Sequence, residues 1–430
     1  MNEVVIVSGC RTAVGAFGGS LKNTSVVALG ASVMHETLRK AGLRPVASSE
    51  MLSVAPGKLT EQGLIDLEMK YNSWDTAATA ITIDEVIMGN VLQAGQGQNT
   101  ARQAMVQAGI AKETPAFTIN KVCGSGLKAI ALGAQAIMTG QAEIILAGGQ
   151  ENMSMVPMAL PKARWGHRME LTGVGEIYDL MVYDALYEIF YGYHMGVTAE
   201  AIAKLYNISR ADQDRLAALS HARAMQGIKD GLFTEEIVPI EVRAGRENIL
   251  FAQDERPMET SAEKLAKLKP AFAKDGSVTA GNASGINDGA AAVLLMSAAK
   301  AKQLGLKPLV TIEGFASGGV DPAYMGLGPV PAIKKTLAQT GKKIGDIELI
   351  ELNEAFAAQA IGCMLELGID IEKPNELGSG ISMGHPVGCT GARQMVTAMY
   401  QMQRRQYATG LISMCIGGGM GMAMMISTKQ

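Results

Sequence analysis

The chain has 430 residues, 48% of them hydrophobic and 18% charged, with a formal net charge of −3. That length predicts two or three domains with large cores, and a charged fraction below the roughly 25% of average soluble domains predicts apolar surface for a subunit interface. The near-balanced charge argues against nucleic acid or an anionic membrane as partner, and no apolar run approaches the ~20 residues of a membrane span.

The chain enters a strand at once with Val4-Val5-Ile6-Val7, with no basic region and apolar signal core ahead of it. Five cysteines, an odd number without a C-x-x-C pair, exclude a disulfide framework and a zinc ribbon. Free thiols suit a reducing compartment, so the expected location is the cytoplasm. The 27 methionines read as adaptable core filler rather than a metal-binding set, and no metal is expected.

Short β-branched runs alternating with alanine-rich stretches predict an α/β fold. Strands are expected at 4–7, 85–88, 116–120, 144–147 and 291–296, with a helix at 128–140 where Ile130, Ala134, Ile137 and Met138 fall at helical spacing. From Pro308 the pattern restarts, with strands at 310–312, 347–352, 381–382, 411–415 and 422–426. The two series echo each other. Ser125-Gly126 opens a helix that leads to a strand and Gly148-Gly149, and Thr390-Gly391 opens one that leads to a strand and Gly417-Gly418-Gly419. The echo predicts a duplicated half. Residues 156–286 break the rhythm with more charge, several tyrosines and a helix near 210–227, as expected of an excursion that covers a site.

Chemistry concentrates in glycine-rich frames. Cys123, in N-K-V-C-G-S-G, follows a strand and precedes a helix, where the helix dipole favours a thiolate and a nucleophile is expected. His385 sits on the stiff turn G-H-P-V-G. Cys415 ends a strand and runs into Gly417-Gly418-Gly419, whose amides can hold an oxyanion. Asn353 follows the strand at 347–352, at the strand end where α/β sites gather. No G-x-x-x-x-G-K-[ST] or strand-linked G-x-G-x-x-G is present, so the glycines do not read as a phosphate loop.

In order along the chain, NKVCGSGLKA, GGQENMS, YGYHMGVTAE, TAGNASGINDGAAA, NEAFA, GHPVGCTGAR and CIGGGMG resemble the thiolase family. The resemblance implies a duplicated five-layered α/β/α/β/α fold with an inserted loop domain: residues 1–155 as the N-terminal half, 156–286 as the CoA-binding loop domain, 287–307 as a return to the first half, and 308–430 as the C-terminal half. It implies an acetyl-CoA C-acetyltransferase that joins two acetyl-CoA into acetoacetyl-CoA and CoA, or runs the reverse thiolysis, with no cofactor besides its CoA and acyl-CoA substrates. Cys123 would be the acylated nucleophile, and His385 its activator. His385 would also form an oxyanion hole with a water held by Asn353. Cys415 would be the base for the α-proton, with the amides of Cys123 and Gly417 making a second oxyanion hole. A thiol base of this kind is expected to be poised near neutral pH by its neighbours. CoA would lie against Leu186, His194, Phe272, Ala280, Ser284, Met325 and Phe356, with Arg256 considered for its phosphate end. A homotetramer built as a dimer of dimers is also implied.

The chain departs from the family pattern at Ala13, at Cys389, and in an extra segment at about 46–81, where Leu64, Leu67 and Tyr71 are expected to share one helical face. Rival readings are a longer-chain 3-ketoacyl-CoA thiolase, a decarboxylating synthase that would carry histidine in place of Cys415, and a non-catalytic acyl-CoA-binding protein lacking the reactive thiols.

Overall fold

The computed structural model describes residues 1–60, 64–173 and 175–428. Its frame runs β1 (Val4–Thr12), α1 (Val26–Lys40), β2 (Glu85–Gly89), α2 (Thr100–Gln107), β3 (Ala116–Ile119), α3 (Ser125–Met138) and β4 (Ile144–Asn152). An excursion with α4 (Gly196–Leu205) and α5 (Arg210–Lys229) follows, and the chain returns as β5 (Asn287–Ser297). The second series is β6 (Val310–Gly319), α6 (Pro329–Thr340), β7 (Leu349–Leu352), α7 (Ala357–Leu367), α8 (Thr390–Arg405), β8 (Thr409–Ile416) and β9 (Met420–Ser427).

These strands hydrogen-bond in the order β7-β8-β9-β6-β1-β5-β4-β2-β3. On either side of the β6–β1 seam the pattern repeats. β1 is antiparallel to β5, β5 antiparallel to β4, and β4 parallel to β2. In the second series β6 is antiparallel to β9, β9 antiparallel to β8, and β8 parallel to β7. Even the irregularity recurs, with a register slip at Ile6/Ser8 in β1 and at Ile312/Gly314 in β6. The seam itself is short, with Val5 opposite Thr311 and Ile6 opposite Val310.

Helices α3 and α8 lie between the half-sheets. Leu127, Ile130 and Ile137 share one core with Met395, Met399 and Met402, with Ile145 and Val293 from one half, and with Ile412 and Met424 from the other. Outside, α1 and α2 cover the first half-sheet with Val33, Met34 and Met105. On the far side α6 and α7 cover the second with Ile333 and Ile361. The result is the duplicated α/β/α/β/α sandwich that the sequence predicts. Being covered on both faces, β4 and β5 are buried along their whole length, and their cores, 144–147 and 290–296, read as unbroken apolar runs rather than alternating ones.

The expected strand at 381–382 is instead a helical turn, Gly380–Met383. Two residues make too short a ladder, and the donors of the turn are satisfied partly within it and partly by a distant carboxylate. Ile381 N–H reaches the Glu354 carboxylate at 3.4 Å, and Met383 N–H reaches the Ser379 carbonyl at 2.7 Å. The expected helix at 128–140 begins three residues earlier, at Ser125, which brings Cys123 up to its first turn.

In the segment at 46–81, Leu43–Pro45 pairs in parallel with Thr79–Ile81 at its base. Trp74 pins it to the body: Nε1 donates to the Gly109 carbonyl at 2.7 Å, and the ring stacks on His35 at 4.2 Å. The expected stripe of Leu64, Leu67 and Tyr71 does not form one helical face. The helix spans only Asp66–Tyr71. Leu64 precedes it and lines a cavity of about 360 Å³ with Leu52 and Trp74, and residues 61–63 lie outside the described residues. Among the described residues no helix is long and apolar enough to cross a membrane.

Candidate active site

Two glycines bring the halves together at the site. A Cβ on Gly126 would lie 2.9 Å from the Ala392 nitrogen and 3.0 Å from the Gly388 carbonyl oxygen. One on Gly391 would lie 2.6 Å from the Leu127 nitrogen and from its Cβ. Each helix start is therefore pressed against the other, α3 on α8, and only a residue without a side chain fits at the crossing. The loops ahead of those helices, carrying Cys123 and His385, are neighbours for that reason.

Cys123 stands between β3 and α3. Val122, immediately before it, has φ of 46°, a conformation that costs a β-branched residue roughly 1–3 kcal/mol. The surroundings hold it there. Asn120 Oδ1 accepts the Val122 N–H at 2.9 Å, and the Val122 carbonyl accepts the Ser125 hydroxyl at 2.7 Å. The Gly417 backbone N–H, in the loop between β8 and β9, lies close enough to the Cys123 sulfur to favour its thiolate. Cys415 is close enough for the two sulfurs to repel each other as thiolates.

Both thiols are fully buried. Burial pushes Cys123 up to about 11, against the smaller opposing effect of the Gly417 and Cys123 amides. Burial also raises Cys415 well above the usual thiol range, and the Cys123 sulfur raises it further. The helix-dipole expectation for Cys123 and the near-neutral expectation for Cys415 are both corrected here. Losing water costs a thiolate more than nearby amides return, so both are thiols at rest.

His385 follows Gly384 (φ 99°), and its backbone N–H donates to Asn287 Oδ1 at 3.0 Å. Asn287 in turn donates to the Gly15 carbonyl at 2.9 Å. Nδ1 of His385 lies 2.6 Å from Thr390 Oγ1, whose own proton goes to the Pro386 carbonyl at 2.9 Å. Thr390 therefore accepts from Nδ1–H, and the Nε2 lone pair is left as the base. Among the described residues Nε2 has no hydrogen-bond partner. Burial, and then the Arg393 cation, push the ring down to about 3, so it is neutral. Asn353 lies beside it, with Nδ2 3.5 Å from His385 Nδ1 and Oδ1 unpartnered. Two buried polar atoms without partners, Nε2 and Oδ1, thus belong to neighbouring side chains, where a substrate oxygen or a water would satisfy them.

Of the expected CoA contacts, the structure gathers most around Cys415. Met325, Phe356 and Cys415 share one apolar cluster with Met195, and Phe272 packs against it. His194 stacks on Phe272 at 4.7 Å, and Phe272 meets Phe356 edge-on at 6.0 Å. Ser284 N–H donates to the Ala355 carbonyl at 2.9 Å, joining that loop to the cluster. Leu186 packs instead with the residues around Cys123, and Ala280 is exposed, outside both clusters. Arg256 is corrected: it is mostly buried and donates to the Ile381 carbonyl at 2.6 Å and the Ala283 carbonyl at 2.9 Å. Those bonds brace two loops and take the guanidinium away from a surface phosphate.

Sequence reasoning missed Val122, Asn287, Thr390 and Glu151. Glu151 had a visible signal, an acid in the polar run Gln150-Glu151-Asn152 that directly continues the buried strand Ile144 to Ala147, where a carboxylate must find partners.

Two family models match the chain: "Thiolase, N-terminal domain" over residues 4–69 and 74–299, and "Thiolase, C-terminal domain" over 306–428. An acetyl-CoA acetyltransferase of Syntrophomonas wolfei is 50% identical over 426 residues, covering 99% of this chain and 98% of that protein. One from Escherichia coli is 49% identical, with 99% of each covered. The crystal structure of the Bacillus anthracis acetyl-CoA acetyltransferase superposes with a TM-score of 0.87 at 41% identity, over 99% of both chains. A structure of an acetyl-CoA acetyltransferase from Syntrophomonas wolfei gives 0.88 at 37%, over the whole of both.

Proposed function

The chain belongs to the thiolase family, and on that premise we propose that it is an acetyl-CoA C-acetyltransferase working through an acyl group on Cys123. The observation that supports the reading is the approach of Cys123, Cys415 and the Gly417 amide, with buried His385 on a turn whose Val387 packs in the same apolar cluster as Cys123.

The protons balance within this set. His385 Nε2 takes the Cys123 proton as the sulfur attacks the acetyl-CoA carbonyl. The resulting imidazolium N–H and a water on Asn353 then face the developing oxyanion. Collapse expels CoA as a thiolate, and Cys415 protonates it, so the first product leaves behind the thiolate that the second step requires. Cys415 then takes the α-proton of a second acetyl-CoA, whose enolate oxygen is held by donors in the dry pocket. The enolate carbon attacks the acyl-enzyme, forming acetoacetyl-CoA. Cys123 departs as a thiolate and recovers its proton from His385. Thiolysis is the same path reversed. The scheme uses no metal or redox cofactor, and CoA and acyl-CoA enter as substrates.

Val91, Leu92, Met153, Met181 and Val387 crowd the Cys123 side, which favours a short acyl group over the longer-chain 3-ketoacyl-CoA alternative. An acyl-CoA-binding protein would have no use for two converging thiols. We further place the enzyme in the cytoplasm on its five free cysteines, and infer a homo-oligomer, a tetramer as a dimer of dimers. Its support is the exposed apolar set on the excursion, with Trp165 77% and Leu171 98% accessible.

The test is to mix the protein with acetoacetyl-CoA and CoA and follow loss of the ketothioester absorbance across chain lengths. An acyl adduct on Cys123 is expected by mass, and is lost in Cys123→Ser. Cys415→Ser should still form the adduct while losing exchange of the acetyl-CoA α-proton. Equal loss of both half-reactions, or a rate maximum at long chains, would overturn the corresponding part of the reading.

A further inference from the structure

Glu151, near the end of β4, is fully buried and has no role in the scheme above. Its carboxylate gathers four donors from two separate loops. Oε1 accepts Asn90 Nδ2 at 2.6 Å and the Leu92 N–H at 3.1 Å. Oε2 accepts the Val91 N–H at 3.0 Å and the Gly388 N–H at 2.8 Å. No salt bridge reaches it among the described residues. Four N–H groups, three of them backbone, are what stabilise the buried carboxylate.

What those donors belong to decides the matter. Gly388 closes the turn that carries His385, and its neighbour Val387 packs on Cys123. Val91 and Leu92 belong to the same apolar cluster and form a wall beside Cys123. The contact leaves no slack, because a Cβ on Gly388 would lie 2.6 Å from Glu151 Oε2 and 2.9 Å from the Asn90 Cα. One carboxylate therefore sets the distance between the base-bearing turn and the apolar wall beside the nucleophile.

We propose that Glu151 is a positioning residue for acylation, fixing the His385 turn and the Val91–Leu92 wall as a unit around Cys123. The proposal rests on the reading of Cys123 as the acylated nucleophile. Only a carboxylate offers acceptors in both positions. The amide of a glutamine would point an NH2 group at two donors, pushing one loop away while keeping the volume. Because the CoA cluster around Cys415 is built from other loops, CoA affinity is not expected to follow.

The experiment compares wild type and Glu151→Gln by single-turnover acylation of Cys123, read by intact mass, and by the dissociation constant for CoA. A misplaced base turn should slow acylation by about 10²-fold, with CoA binding within about threefold of wild type, close to the error of such comparisons. Acylation at the wild-type rate would overturn the proposal, as would a loss of CoA binding in the same proportion. Asn90→Ala removes one donor only and serves if Glu151→Gln does not fold. It should slow acylation by roughly tenfold, as expected from loss of one hydrogen bond to a charged group, and an unchanged rate there overturns the proposal equally. Absence of a Cys123 adduct in wild type would instead refute the underlying reading of the site.

Discussion

The backbone N–H of Gly417 approaches the sulfur of Cys123 and favours its thiolate, bringing together loops from the two halves of the chain. A side chain on Gly417 would first meet Met195, with its Cε 2.3 Å from the new Cβ, and then Val122 Cγ1 at 3.3 Å.

Gly417→Ala is therefore expected to fold, because the end of a methionine side chain can move, but to shift the amide off the sulfur. Stability should fall by about 1–3 kcal/mol. The rate of Cys123 acylation should fall by roughly 10²-fold, the usual effect of losing one preorganised donor. Denaturant melts and single-turnover mass measurements separate the two effects. A wild-type acylation rate would show that the amide has no part in the step.

Alkylation of Cys123 by iodoacetamide reads out its protonation. Burial holds the thiol at about 11, and only the thiolate reacts. The rate should therefore climb by about tenfold per pH unit from pH 7 towards 10 without levelling. Cys123→Ser supplies the background. A plateau near pH 7 would mean a thiolate at rest, and would exclude a proton transfer to His385 on substrate binding.

Thr390 fixes the tautomer of His385 by accepting Nδ1–H. Thr390→Val keeps the shape and removes the acceptor, so the proton can move to Nε2 and block the base. Turnover should drop by about 10²-fold or more, since a wrong tautomer in a comparable arrangement costs up to 10⁴. The melting temperature should change little. Thr390→Ser should restore most of the activity, and failure of that rescue would point to packing rather than to the hydrogen bond.

Acid should destabilise the fold through its buried imidazoles. Burial, then Arg256, lower His221 to about 4, below the ~6.5 of an unfolded histidine. Between these values the unfolded chain carries a proton that the folded one refuses. This contribution is present above pH 6.5 and is lost as the pH falls towards 4. His385, lowered to about 3, acts in the same direction over a wider range. Glu151, raised to about 7 mainly by burial, acts in the opposite sense, so the comparison must be between proteins that differ at one site. The melting temperature of wild type should fall more steeply between pH 6.5 and 4 than that of His221→Gln. Parallel slopes would mean that His221 is accessible to protons in the folded state.

Much of the molecule is written locally. The unbroken apolar runs at 144–147 in β4 and 290–296 in β5 announce strands covered on both faces. The paired helix starts at Ser125-Gly126 and Thr390-Gly391 announce two equivalent halves. Cys123, His385, Asn353 and Cys415 each stand in short glycine-rich or strand-end frames that mark where chemistry can occur. Propensity, periodicity and the special freedom of glycine all act within a few residues, and so they survive in the order of the letters. The turn at Gly380–Met383 escaped because its donors are satisfied by Ser379 and by Glu354, a residue far from it in sequence.

Burial and cross-chain hydrogen bonding belong to the folded state alone. The letters around Cys123 point to a thiolate, but only the packed structure removes the water that a thiolate needs. Nothing in G-H-P-V-G-C-T tells which nitrogen of His385 carries its proton. That follows from a threonine whose own hydrogen is already committed to Pro386. The four amides converging on Glu151 come from loops after β2 and before α8, which meet only because the two halves pack face to face. Electrostatic energies in such a place depend on every group within a few ångströms, and those groups are assembled by tertiary contacts rather than by neighbours along the chain.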